Sequence, residues 1–500
     1  MVEALQQLAS WKILFLFILG TLNGMATALL PGLSGSVGLV LMIPLAFRLT
    51  ELETMVLFAS ALGGQNFAGS ITAIILNAPG AAPNAATTFD GYPLARQGKA
   101  GFAIGISAAA SALGSVCGVA ALILLLPLAR QAVLAFSYPE FTLLTLIGLI
   151  CIAAASRGAL LKGLVSGGLG VLLSLVGLDP MTGEPRYTFG LSQLYEGISV
   201  TAALVGLFGL AEVLQLLVRG ESVAQVGERI AFSHRQLWEG VVYTVRHLGL
   251  VVRSSLVGIA AGIIPGLGGT VASFMAYYQA AQTARDRSRF GKGDPRGVLA
   301  PEAANDAKEA ASALPSLAFG IPATSEWAIV LGAFVMHGII PGPLLVRDNI
   351  ALVWTVIWVI LAASWTTSLL GLLVGPQLAR VTQLRPGILA PVVVAITLVG
   401  TYASEKRFIE VLFAVAFALL GYVMRELNIP LVPLVLGLVL GENLERNFYH
   451  TMEISDIGPL VFFIRPICIT MILLIVFIIV VSWVASRRRR VYGEASVAQL

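Results

Sequence analysis

The stretch LLPGLSGS, residues 29–36, follows an apolar run of helix length, and IIPGLGGT, residues 263–270, does the same in the second half of the chain. Each sets a Pro-Gly pair and a short Gly/Ser/Thr cluster where a buried helix would be expected to continue. Proline removes a backbone donor and glycine tolerates positive φ, so both stretches predict helices that open and free polar backbone groups. Those groups need a use, because the rest of the chain reads as lipid-dissolved. Hydrophobic residues make up 57% of the 500 and charged residues 12%, against about a quarter charged in soluble domains. The mean hydropathy is +0.89. Apolar runs at 11–30, 101–128, 141–155, 198–218, 350–374, 389–401, 411–423 and 461–485 span or nearly span a bilayer core, which takes about 20 helical residues. In hydrocarbon every backbone polar group must be satisfied within its segment, so helices are the expected form. An all-α polytopic membrane protein with roughly 10–14 spanning or half-spanning helices follows from that segment length.

The N-terminus lacks a basic region and a small-residue cleavage site, and reads as a first membrane helix. Arg487–Arg490 follow the last apolar run, and Arg285, Arg287, Arg289, Lys292 and Arg296 crowd one loop. The positive-inside rule puts both in the cytoplasm, and juxtamembrane charge of this kind calls for no nucleic acid. Cys117, Cys151 and Cys468 lie in or beside apolar sequence without metal-ligand or redox spacing, and read as small buried hydrophobes. His337, beside a helix break, reads as an interhelical hydrogen-bond donor.

Landmarks recur in the same order in both halves. Pro31 is echoed by Pro265, PLAR at 127–130 by PQLAR at 376–380, Pro139 by Pro386, and Asp179-Pro180 by Ile429-Pro430. This order predicts a two-fold internal repeat, inverted if each half has an odd number of crossings. The expected organisation is a first transmembrane repeat at 1–218, a cytoplasmic connector at 219–246, a second repeat at 247–486 and a basic cytoplasmic tail at 487–500. Duplicated transporters build their sites from interrupted helices at matched positions. A broken helix offers free N–H groups to anions and free carbonyls to cations.

A second pair of breaks is expected at Asn77-Ala78-Pro79-Gly80 and at Gly320-Ile321-Pro322-Ala323-Thr324; taken singly, each also reads as a tight turn between helices. Asp90 in DGYP reads as a turn cap. Glu302, Asn305, Asp306 and Glu309 share one helix face by their i, i+3, i+4, i+7 spacing. A wet face is expected for Glu309 and cavity lining for Glu302 and Asn305. Glu326, directly after a break, reads either as a coupling carboxylate at membrane depth or as an exposed tip. The expected substrate and ion site comprises Gly32, Leu33, Ser34, Gly35, Ser36, Asn77, Pro79, Gly80, Gly266, Gly268, Gly269, Thr270, Asn305, Pro322, Ala323, Thr324 and Ser325. No G-x4-G-K-[ST], G-x-S-x-G, HExxH or CxxC is present, so ATP hydrolysis, serine hydrolysis and zinc chemistry lack their signatures. No catalytic residue or resident metal is assigned.

The motifs LPGLSGS (30–36), GSITAIILNAPGAAPNAATTFDGYPLARQGKAG (69–101), PGLGG (265–269), APEAAND (300–306), FGIPATSEWAIVLGAF (319–334) and HGIIPGP (337–343) resemble the large membrane subunit of the tripartite tricarboxylate transporter family. The resemblance runs over nearly the whole chain. It implies a bacterial inner-membrane secondary transporter with two partners, a small membrane subunit and a periplasmic solute-binding protein. It further implies uptake of citrate or another carboxylate with sodium or another cation gradient, sodium being the expected coupling ion, and no cofactor. Three places depart from the family's usual wording: Ala78 stands for threonine, Ala323-Thr324 for Gly-Ser, and Asp306 for a second asparagine. Two other classes compete with this one, an intramembrane enzyme acting on a lipid-linked substrate and a passive channel. The first lacks a catalytic constellation, and the second does not call for a duplicated chain with broken helices.

Overall fold

The computed structural model describes residues 10–30, 34–155, 160–219, 233–378 and 386–480. Helix α1, Trp11–Leu29, starts where the Ser10 side chain accepts the Ile13 N–H at 3.2 Å. After the first break come α2, Gly35–Ala46, and α3, Glu51–Leu76. Thr50 and Glu53 form a reciprocal capping box at the start of α3, and Lys12 reaches Glu53 at 2.7 Å, pinning the starts of α1 and α3 together. The first half continues with α4 (Ala85–Arg96), α5 (Ala100–Leu134), α6 (Tyr138–Ala155), α7 (Leu160–Ser174), α8 (Val200–Leu204), a π-helical stretch Val205–Leu210, and α9 (Ala211–Arg219).

The second half holds α10 (His234–Arg246), α11 (Leu248–Ile263), α12 (Gly268–Thr283), α13 (Arg296–Ala313), α14 (Ser325–Met336), α15 (Pro343–Asp348), α16 (Ile350–Leu378), α17 (Pro386–Glu405), α18 (Phe408–Glu426), α19 (Leu431–Ile454), α20 (Val461–Ile464) and α21 (Pro466–Val480). Among the described residues the strands are one two-residue pair, β1 (Gly177–Leu178) and β2 (Pro185–Arg186). Among the described residues four helices are long and apolar enough to cross a membrane, and two pairs bent by 76° and 81° each match one more span. Six apolar helices of 10–17 residues, α2 and α14 among them, have half-span length. Residues 220–232 of the expected connector and the whole tail 487–500 lie outside the described residues.

The two most deeply buried long helices are not the most apolar ones. Helix α13 is buried at every position from Gly297 to Ala313, and α3 at every position from Glu53 to Ile74. Small residues make this possible. Gly114 and Gly118 of α5 sit against the backbone of Ala303 and Ala307, while Gly258 and Gly262 of α11 sit against Ala304 and Lys308. Such seams let helices approach in lipid, where dispersion and interhelical hydrogen bonds replace the hydrophobic effect. The wet face expected for Glu309 is therefore wrong: α13 packs on α5, α11 and α12, so each of its faces meets another helix.

Asp90 is likewise no turn residue. It lies buried inside α4, where its carboxylate accepts the N–H groups of Gly293 and Asp294 at 2.8 and 2.7 Å and the Tyr277 hydroxyl at 2.8 Å. It thus holds the basic loop, and Gln97 adds a bond to the Lys292 carbonyl at 2.8 Å. The other end of the bundle carries the segment 175–199, the β1–β2 loop, which holds β1 and β2 and is tied down by Arg186 to Glu445 and by Arg407 to Glu196. In that loop the Met181 and Thr182 N–H groups, with Arg186 nearby, hold the Asp179 carboxyl below its usual range. His337 does bridge helices, 3.0 Å from the Thr54 hydroxyl.

Candidate functional site

A cavity of about 650 Å³ opens where all four breaks meet. Ser34 and Gly35 line it from the first break, and Pro79 and Gly80 from the second. Gly266, Gly268, Gly269 and Thr270 come from the third, and Pro322, Ala323, Thr324, Ser325 and Glu326 from the fourth. The third and fourth breaks are bonded to each other, the Gly266 N–H donating to the Ala323 carbonyl at 3.0 Å. Asn305 completes the expected set from mid-α13. Ser36 lines an adjoining cavity of about 830 Å³. Gly32 and Leu33 lie outside the described residues.

Asn77 is the exception, as it does not line either cavity. Its φ of 54° makes it the left-handed cap that ends α3, a conformation asparagine tolerates better than most residues. It turns the chain so that Gly80 can return and donate to the Gly69 carbonyl at 3.2 Å. Its role in the site is indirect.

Helix ends set the electrostatics. The N-termini of α2, α12 and α14 all reach the cavity. Each presents free N–H groups and the positive end of a helix dipole, which favour an anion. The three ends are used differently. Thr324 caps α14 by accepting the Trp327 N–H at 3.3 Å. No side chain caps α12, whose first residue, Gly268, has φ 68°. At α2 a carboxylate is already in place: Glu212 accepts the Ser34 N–H at 2.7 Å and the Ser34 hydroxyl at 2.8 Å. Glu326 has a neighbour too, the Ser36 hydroxyl donating to it at 3.4 Å.

The long helices add polar side chains. The amide of Gln65 on α3 abuts Gly35 at the start of α2, and that of Asn305 on α13 abuts Gly269 at the start of α12. Lys308 and Glu309 line the cavity as an ion pair at 2.7 Å, both nearly shielded from solvent. Glu302 is not a lining residue. It lies behind the cavity as a fully enclosed hub that accepts hydrogen bonds from Ser70 of α3 at 2.6 Å, Thr87 of α4, and Ser107 and Ser111 of α5 at 2.9 and 3.3 Å. One turn further along α13, Asp306 accepts from Ser364 of α16 at 2.7 Å.

Sequence reasoning missed Gln65, Asn66, Asn84, Glu212, Lys308 and Glu309 as cavity residues. The signal was faint but present. Gln65-Asn66 interrupts a stretch otherwise made of small and apolar residues, and Glu212 stands alone inside an apolar run. An ionisable residue at that depth marks a function by default.

A relative from Agrobacterium vitis, described as an uncharacterized 52.8 kDa protein in the TAR-I ttuC' 3' region, is 31% identical over 482 residues, covering 95% of this chain and 94% of its own. A second protein of that organism, from the TAR-II ttuC' 3' region, is 31% identical over 244 residues, covering 47% of this chain and 99% of its own. No solved structure matches. The family model of the tripartite tricarboxylate transporter TctA family matches residues 14–436, and over that length, with its bundle of apolar and interrupted helices, the chain belongs to this family of multi-pass membrane transport proteins.

Proposed function

We propose that the chain is the permease subunit of a binding-protein-dependent secondary transporter. It imports citrate or another carboxylate with sodium, or with protons, across the bacterial inner membrane, its C-terminus in the cytoplasm. Its partners are a small membrane subunit and a periplasmic solute-binding protein. The observation that carries the substrate class is the cavity itself, into which three helix N-termini open, one of them already holding a carboxylate. Backbone donors at such ends bind anions.

The two-fold inverted repeat is part of the proposal. The paths of α1, α2 and α3 and of α11, α12 and α13 support it: each is a helix ending at the cavity, a helix starting there, and a long buried helix packed on the first. The following long helices cross over, α5 packing on α13 and α16 on α3. The test is uptake of labelled citrate into membrane vesicles containing this chain. Uptake is expected only with both partners and an inward sodium or proton gradient. Full uptake by the purified chain alone would remove the binding protein from the scheme, and uptake indifferent to every cation gradient would remove symport.

A further inference from the structure

The adjoining cavity of about 830 Å³ is separated from the central one by a neck, whose residues line both: Ser34, Glu212, Ser325, Glu326, Pro430 and Val432. Glu212 is the best-held side chain there. Two bonds tie it to Ser34, and a third comes from Arg425 of α18 at 3.3 Å, the longest of the set. Arg425 also donates to Gln215 at 3.1 Å. A backbone N–H, a hydroxyl and a guanidinium around one carboxylate make a complete carboxylate-binding group. Resting on the carboxylate reading above, we propose that Ser34 and Arg425 form a carboxylate seat for the substrate at the neck, and that Glu212 is a tethered occupant which the arriving substrate displaces.

The fold gives Glu212 room to leave. It is the second residue of α9, immediately after the π-helical stretch Val205–Leu210. A π-segment is rare, appears mostly as a single-turn bulge inside an α-helix, and is frequent at functional sites. The same segment is packed closely on α18, Gly206 meeting Ala414 and Gly421 meeting Ala211, so a shift of α9 is felt by the helix that bears Arg425. A tethered carboxylate makes the seat neutral when empty of substrate. A seat without an occupant would leave the Arg425 charge and the Ser34 N–H unmatched in a low-dielectric neck, which is costly. Exchange of one carboxylate for another changes little charge at the seat, and the displaced Glu212 has the adjoining cavity, which it already lines, to move into.

Chemical rescue tests this directly. In purified full-length protein, Glu212→Ala should lower the thermal unfolding temperature, and formate should raise it again by several degrees. The rescue should vanish in Glu212→Ala/Arg425→Gln and be absent in the wild type, whose seat is filled. A formate response equal in all three proteins, or absent from all, overturns the seat. If Glu212→Ala does not fold, Glu212→Gln keeps the shape and weakens the hold. It should bind citrate about tenfold more tightly than wild type, and Arg425→Gln about tenfold more weakly; unchanged affinity in both overturns the proposal. Formate rescue without citrate binding by any protein would uphold the seat and instead sink citrate as the substrate.

Discussion

Gly268 and Gly269 sit side by side at the start of α12 yet are needed for different reasons. At Gly268 the space around a side chain would be open, and only its φ of 68° restricts it. At Gly269 a Cβ would lie 2.6 Å from the Asn305 amide oxygen and 2.8 Å from Pro83. Gly268→Ala should therefore cost about 1–2 kcal/mol of stability through backbone strain and leave much of the uptake. Gly269→Val should abolish uptake while the protein remains in the membrane, because the added methyls enter the cavity wall between two breaks. Normal uptake by Gly269→Val at normal expression would make the third break a plain turn. Lys308 offers a second residue-scale test. Lys308→Met strands the shielded Glu309 carboxylate and should destabilise by about 3–5 kcal/mol; Lys308→Met/Glu309→Leu should recover most of that loss in a thermal melt. A double variant no better than the single one would mean that Lys308 stabilises the protein other than through its pair with Glu309.

At the scale of elements, the broken helices were legible in the sequence because proline and glycine act locally. Leu29–Ser36 and Ile263–Thr270 announce their own interruption whatever surrounds them. The helices facing those breaks were harder to read. Helix α13 carries Glu302, Asp306, Lys308 and Glu309, and a run with four charges resembles a solvated surface helix unless its neighbours are known. Its burial depends on glycine seams contributed by α5 and α11, more than forty residues away in sequence. Asp90 misled for the same reason, since two of its three donors lie in a loop two hundred residues on. Glu302 is the sharpest test of this buried polar layer. Its four hydroxyl donors come from three helices, so Glu302→Leu leaves them facing an apolar side chain. A buried donor left unsatisfied costs about 1–3 kcal/mol, so Glu302→Leu should lower the melting temperature sharply, and Glu302→Gln, which keeps an acceptor, should lower it less. Equal melting of the two variants would mean that the hydroxyls are satisfied within their own helices.

For the whole molecule, the orientation in the membrane follows from where the ends of the helices are tied. The basic loop after α12 is bonded to the end of α4, and α5 begins a few residues later at that same end. Helix α5 has 35 residues, about 50 Å at 1.5 Å per residue, so it carries the chain to the opposite end. Helices α6 and α7 then make one return trip, and the β1–β2 loop emerges at the end opposite the basic loop. On the orientation proposed above, with the basic-loop end cytoplasmic by the positive-inside rule, the β1–β2 loop lies outside, on the side from which the proposed soluble binding protein would deliver its cargo. Exposed aromatic residues in that loop, Tyr187 at 60% and Phe189 at 86% exposure, suit such a contact. Ser192→Cys in this loop should react with a membrane-impermeant maleimide on intact cells stripped of their outer membrane. Ser288→Cys in the basic loop should react only after the inner membrane is opened. Both positions are exposed, and the three native cysteines, half-buried or buried, are slower targets. Labelling of both positions from the same side would break the chain path from α4 to α7, and with it the inverted relation between the halves. Labelling with the sides reversed would keep that path and turn the transporter over, placing the β1–β2 loop in the cytoplasm and out of reach of a periplasmic partner.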